Sequence, residues 1–293
     1  MDRLLSYFCD GLEKPSGSVG AEIETPFMCG KEPASLSQSQ KVFGTLVDQG
    51  WNIRQKKGAL LTAIADASGN TLLYELGRQN IELATAPTTA SNLLASTKRI
   101  LEQLYEVAAG HGLIPSFSPI LDTEEDLLVI PDERDATWLA LDGREALAPL
   151  ARISAVQFTV EVSRERAVTC LNALGGRMSL FLADYPQDDV WREYIRKSLA
   201  GYQTLRYGGP LLFDGLEDYC EQLSMHEVVL GPRLVPFGQA ELFDIPLFLR
   251  SIWWYFRLKR YGNRLCIEVR PLARRDDSRL DVQLQMVLEV LAL

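Results

Sequence analysis

Histidine is almost missing from this chain: two side chains, His111 and His226, in 293 residues. They stand far apart with no neighbouring ligand pattern, which argues against a zinc site or a Ser-His-Asp triad. Five cysteines (Cys9, Cys29, Cys170, Cys220 and Cys266) are scattered without a CxxC pair, and their odd number argues against a disulfide framework. No run of about eighteen apolar residues occurs, so a membrane span is not expected. The opening MDRLLSYFCDGLEKPSGS carries Asp, Glu and Lys where a signal peptide needs an apolar stretch, and the expected location is cytoplasmic. Basic residues are outnumbered, 30 against 39 acidic ones for a net charge of -9, so no broad nucleic-acid-binding surface is expected. The two common phosphate cradles, GxxxxGK followed by Ser or Thr and GxGxxG after a strand, are also absent. Polar chemistry is left to carboxylates, amides and arginines, and any metal to hard cations such as Mg2+ that prefer oxygen ligands.

What remains is a globular composition, 47% hydrophobic and 24% charged, with no repeat, low-complexity tract or linker. A single domain over 1–293 is the simplest reading. Val19 to Phe27 alternates with period two, as a strand does. Val42, Phe43, Leu46 and Val47 mark a helix that stops at Gly50. Ala59 to Asp66 and Thr71 to Thr85 read as two strands joined by Ser-Gly-Asn, with Gly77 as a bulge in the second. Leu94, Thr97, Leu101, Leu104 and Ala108 share one face of a helix introduced by Pro87 and Ser91. A short strand over Leu113 to Ile120, helix near Trp138 to Leu150, a strand over Arg152 to Val162 and a helix from Ser163 to Gly175 follow. The chain then reads as interrupted helix to Gly209 and as a loop over Gly231 to Phe237. An apolar helix through Trp253 and Trp254, whose rings are read as core, a turn at Tyr261-Gly262-Asn263, a strand over Leu265 to Pro271 and a closing helix complete it. The hairpins favour an α+β fold with an antiparallel or mixed sheet covered by helices on one side.

Four strands carry polar groups on one face. In GAEIETP, Glu22 and Glu24 are two apart, so on a strand both carboxylates point the same way, with Cα atoms roughly 6.5–7 Å apart. If buried, two such acids need a counter-charge, which a divalent cation supplies. In QNIELATAP, Glu82 interrupts an apolar strand end, with Glu75, Arg78 and Gln79 nearby; Glu75 reads as solvated. In AVQFTVEVS, Gln157, Thr159 and Glu161 share one face, and in CIEVRP, Glu268 and Arg270 do. Each segment taken singly also fits a half-exposed or ion-paired strand. Together, acids and arginines on one sheet face suit a nucleotide with its metals.

In that order, GAEIETPF, QNIELATAP, AVQFTVEVS and CIEVRP resemble the signature strands of the carboxylate-amine ligases related to glutamate-cysteine ligase, whose fold is similar to that of glutamine synthetase. The resemblance implies a curved, mainly antiparallel sheet forming an open funnel with helices packed outside and ATP and Mg2+ within. It implies metal binding by Glu22, Glu24, Glu82, Glu161 and Glu268. It places Gln157, Thr159 and Arg270 at the nucleotide, with Arg270 and, on a looser match, Arg257 as catalytic phosphate-stabilising groups. It implies small-molecule carboxylate and amine substrates joined through an acyl phosphate, with γ-glutamyl transfer to an amino acid such as cysteine as one form; oligomeric state stays open. Thr159 departs from the family, whose members often carry histidine or asparagine there, and a hydroxyl is a weaker ligand. Phosphoryl transfer on the same fold, and a non-catalytic nucleotide-binding relative, are the competing readings.

Overall fold

The computed structural model describes residues 2–129, 133–199, 204–240 and 243–292. Eight strands form the body of one sheet: β1 (Ser18–Cys29), β2 (Asn52–Lys57), β3 (Leu60–Ala65), β4 (Thr71–Tyr74), β5 (Asn80–Ala84), β6 (Ala155–Glu161), β7 (Phe256–Tyr261) and β8 (Arg264–Ala273). They lie in the order β7-β8-β6-β1-β5-β4-β3-β2, each antiparallel to its neighbours. Three two-residue strands, Glu32–Pro33, Thr88–Thr89 and Ile114–Pro115, pair along β1. The path has two ends, so the sheet does not close into a barrel. Among the described residues, no helix is long and apolar enough to cross a membrane.

Strand alternation divides the sheet into two chemically different faces. Ile23 on β1, Leu83 on β5, Val156 and Phe158 on β6 and Ile267 on β8 are all buried on one of them. They belong to a single core with Leu101 and Leu104 of the Ala90–Gly110 helix, Leu171 of Arg164–Gly175 and Leu284 of Arg279–Leu291. The Leu36–Asp48 helix begins with a reciprocal cap, Ser35 accepting from the Gln38 N–H while the Gln38 side chain accepts from Ser35. Its Phe43 stacks on Tyr74 at 4.9 Å between ring centres. The other face carries the polar residues.

Several elements differ from expectation for reasons beyond local pattern. The run Thr71 to Thr85 is a hairpin rather than one bulged strand, with Leu72 opposite Leu83 and Leu73 opposite Glu82. Its turn is fastened from afar: the Gln79 side chain donates to Ala151 O at 2.8 Å and the Asn80 amide to Ile153 O at 3.1 Å. At Gly77 a Cβ would lie 2.4 Å from Ala151 O, so the backbones meet only because glycine has no side chain. Strand β2 is exposed throughout and has no apolar alternation to reveal it. The helix expected through Trp253 and Trp254 ends at Arg250; Trp253–Trp254 pairs in parallel with Tyr207–Gly208, and the following residues form β7. Leu113 to Ile120 is reduced to the pair Ile114–Pro115 and a single bridge at Ile120. Gly231 to Phe237 contains part of a small hairpin, Val228–Val229 against Leu234–Val235. Within the stretch read as interrupted helix, 200–203 lie outside the described residues.

β8 contains one irregularity that matters for the site. Val269 pairs with Phe158 and Leu272 with Val156, so β8 spends one more residue than β6 over the same distance. The extra residue falls at Arg270-Pro271, where Pro271 has no N–H for the ladder; Arg270 keeps the polar face that alternation gives it, and the bulge lets Leu272, rather than Pro271, take the next core position opposite Val156.

Gly77→Ala is expected to destabilise the fold by about 1–3 kcal/mol, because the added methyl must displace backbone. Urea unfolding monitored by circular dichroism measures it, and an unchanged midpoint would contradict the packing described.

Candidate active site

The register brings the polar residues together. On β1, Glu24 stands directly opposite Glu82 of β5, and Glu22 opposite Gln157 of β6; on the far side Thr159 faces Glu268, and Glu268 faces Arg257. These side chains share one face because paired residues in an antiparallel sheet point the same way. A cavity of about 210 Å³ lies over this face, lined on the sheet side by Glu22, Glu24, Glu75, Glu82, Gln157, Arg257, Lys259, Glu268 and Arg270.

One end of the cavity is anionic. Carboxylate oxygens of Glu24, Glu75 and Glu82 lie within 4.8 Å of one another. Glu24 and Glu82 are buried, at 8% and 5% exposure. Glu24 accepts from the Ala155 N–H at 2.8 Å and the Gln157 amide at 3.3 Å. Burial, followed by the charge of Glu75, raises its carboxyl to about 8 against these hydrogen bonds and Arg270. Glu82 is raised well above the usual carboxylate range, first by burial and then by Glu75, Glu22 and Glu24. Three converging carboxylate oxygens, two of them on carboxyls that burial raises above the usual range, are the donor set that suits a hard divalent cation such as Mg2+.

The other end is a knot of cations tied to one acid. Glu268, fully buried, accepts from the Arg257 Nε and the Arg270 guanidinium on Oε2 and from Lys259 Nζ on Oε1. Its carboxyl is held well below the usual range because these three charges outweigh the cost of burial. Lys259 also lies 3.5 Å from Glu22. Arg257 is fixed further by donating to the Leu249 and Ile252 carbonyls at 2.6 and 2.7 Å. Gln157 joins the two ends: its amide nitrogen donates to Glu24, and its oxygen accepts from Arg270 at 2.8 Å.

The structure thus gathers Glu22, Glu24, Glu82, Gln157, Arg257, Glu268 and Arg270 round one cavity, but not every expected residue. Glu161 lies outside it: one oxygen accepts from the backbone N–H and hydroxyl of both Ser16 and Ser18, at 2.7–3.1 Å, with Arg264 3.7 Å away. Its carboxyl is lowered despite burial by these bonds. It fastens the N-terminal segment to the sheet. Thr159, between Gln157 and Glu161, does not line the cavity either. Glu268 serves its cations, since both its oxygens are taken. Two residues were not anticipated. Glu75 follows β4, two positions after Leu73, the partner of Glu82; seeing the hairpin would have placed it on the acidic face. Lys259 alternates with Arg257 on β7, a pattern hidden when that segment is read with the preceding helix. A third omission is the wall facing the sheet, where Trp138, Tyr185, Trp191, Tyr194 and Trp253 line the same cavity. Trp254 is fully buried, as expected, while Trp253 is partly exposed there.

No family model and no curated protein matches this chain. Among solved structures it is similar to the glutamate-cysteine ligase of Francisella tularensis in complex with AMP, at 14% identity over 96% of this chain and 68% of that one, with a TM-score of 0.50. It is also similar to ligand-free GmaS, at 12% identity over 94% of this chain and 53% of that one with a TM-score of 0.44. A bifunctional glutathione synthetase from Pasteurella multocida matches at 14% identity over 99% of this chain and 40% of that one, with a TM-score of 0.46. These three likenesses are to longer proteins, of which the chain spans between 40% and 68%. The fold is that of a mainly antiparallel α/β protein built on one large open sheet. More particularly, that fold is similar to the fold of the Francisella tularensis glutamate-cysteine ligase, and at 14% identity the likeness extends to the fold alone.

Because folded Glu24 keeps its proton to about pH 8 while an unfolded carboxyl loses it near 4.5, the folded state binds the extra proton in between. Stability is expected to be greatest below that window, to fall as pH rises towards 8, and to be regained at high pH on adding Mg2+. Thermal melts across pH with chelator or Mg2+ test this; Glu24→Gln should flatten the decline. Glu268→Gln removes the acid on which three cations converge, and a loss of about 3–5 kcal/mol is expected in the same melts.

Proposed function

We propose that this chain is an ATP-dependent, Mg2+-requiring ligase that joins a small-molecule carboxylate to an amine through an acyl phosphate. The observation that carries this reading is the pairing, in one cavity, of the Glu24, Glu75 and Glu82 cluster with the Arg257, Lys259 and Arg270 knot. Carboxylates hold the ions that accompany a polyphosphate, and fixed cations neutralise charge on the phosphoryl group as it moves. The glutamate-cysteine ligase fold, found with AMP in a structure of that enzyme, supports it.

On this reading, Glu24, Glu75 and Glu82 hold Mg2+, with Glu22 adding charge beside Lys259. When bound, Mg2+ draws charge from phosphate oxygens and makes the terminal phosphorus more electrophilic. Arg270, held by Gln157 and Glu268, reaches the transferring phosphate; Arg257 and Lys259 supply field from behind. A carboxylate oxygen attacks that phosphorus and ADP leaves; the neutral amine then attacks the acyl carbon, phosphate departs, and the amine proton passes to a base. The aromatic wall limits water, which would otherwise hydrolyse the acyl phosphate. The sheet, in this reading, curves round the cavity as a funnel. The donor is an amino-acid carboxyl such as the γ-carboxyl of glutamate.

ADP release in the presence of carboxylate, amine and Mg2+, together with calorimetric binding of Mg-ATP, is the test. Glu24→Gln and Glu75→Gln should each lower turnover at least about 100-fold without loss of melting temperature. Glu161→Gln should leave turnover near wild type. ADP release that ignores the amine would point to phosphoryl transfer alone, and failure to bind Mg-ATP would overturn the reading.

A further inference from the structure

The wall opposite the acids is made of rings. Three of the five tryptophans in the chain, Trp138, Trp191 and Trp253, line this one cavity together with Tyr185 and Tyr194. They come from separate elements: Trp138 from the Glu133–Asp142 helix, Trp191 and Tyr194 from Gln187–Lys197, and Trp253 from the short strand after Arg250. The rings meet at steep angles: Trp138 and Trp253 at 50°, Trp191 and Trp253 at 40°, Trp191 and Tyr194 at 76°. Trp191 stacks in parallel only with Tyr207, at 10°, so that face is already occupied. Polar ends of the rings are turned away and secured, Tyr194 donating to Asp142 at 2.7 Å and Tyr207 to Asp188 at 2.8 Å.

Mutually inclined rings form a corner, which suits a rounded group rather than the parallel slot that a flat base needs. The negative ring faces favour a cation. A second cavity of about 710 Å³ shares Gln55, Trp138 and Arg250 with this one and is lined further by Lys56, Lys57 and apolar side chains such as Val229 and Phe248, with no acid among its described lining residues. A tail carrying further positive charge would be repelled there, whereas an apolar tail would not.

We propose that the amine substrate is a primary ammonium bearing a bulky apolar or aromatic body, its cationic head received by the corner formed by Trp138, Trp191 and Trp253. This rests on the ligase reading only for the word substrate; the recognition itself stands on ring geometry and charge. The body is larger than that of ammonia or a small amino acid. The ammonium gives one proton to solvent before its nitrogen lone pair attacks, so the corner selects and delivers the amine and takes no part in bond formation.

The experiment uses the whole chain and calorimetry with benzylammonium, with neutral benzyl alcohol and spermidine as comparison probes and adenosine as competitor. Benzylammonium is expected to bind, benzyl alcohol to bind more weakly, and spermidine to be excluded. Trp253→Leu and Trp191→Leu should weaken benzylammonium binding about tenfold, with the milder Trp253→Phe and Trp191→Phe as variants whose folding is checked by circular dichroism. Equal binding of benzyl alcohol, no loss in the folded variants, or displacement of benzylammonium by adenosine would overturn the proposal. Benzylammonium binding without ADP release would sink the ligase reading and leave the cation corner standing; ADP release with small amines alone, unaffected by the variants, would do the reverse.

Discussion

Everything in this molecule that concerns chemistry depends on keeping like charges together out of water. Glu24 and Glu82 face each other across adjacent strands, and cross-strand acids at that distance repel. They stay because the opposite faces of their strands are locked into the main core. A slip of one residue would exchange the two faces and expose Ile23 and Leu83 to the cavity. Apolar packing on one side thus supplies the free energy that holds an unfavourable electrostatic arrangement on the other, which is how strain is commonly kept at functional sites.

The two ends of the cavity solve the problem of buried charge differently. Round Glu268, the chain provides its own counter-charges, so a permanently ionised acid organises three basic side chains. Round Glu24 and Glu82 it provides too little, and burial raises both carboxyls above the usual range. A self-neutralised centre is rigid and ready; an uncompensated one takes up cations from outside. Gln157, touching both, lets a change at one end reach the other through a single amide.

Much of this was legible in the sequence, and what was missed has a common cause. Period-two spacing located Glu22, Glu24, Gln157, Glu268 and Arg270, because alternation is local and survives without knowledge of partners. Glu75 and Lys259 escaped because their faces are defined by pairings: the β4–β5 hairpin is fastened by Ala151 and Ile153, more than seventy residues away, and β7 adjoins an apolar stretch that mimics a helix. Glu161 shows the converse. Its face parity matches that of Gln157, yet position along the strand carries it past the cavity to Ser16 and Ser18, and parity says nothing about distance. The aromatic wall, assembled from three elements, leaves no contiguous mark in the sequence at all.

The bulge at Arg270-Pro271 reaches further than its own strand. Upstream of it, odd and even positions of β8 have one meaning; downstream they exchange it. A strand one residue shorter here, lacking Pro271, would still send Arg270 to the polar face and the leucine to the core, so what the extra residue adds is local bend and twist rather than side-chain direction. A descendant that straightened this stretch would keep every face and every partner, yet it would tilt the guanidinium differently over the cavity floor, a change that a reading of alternation alone would miss.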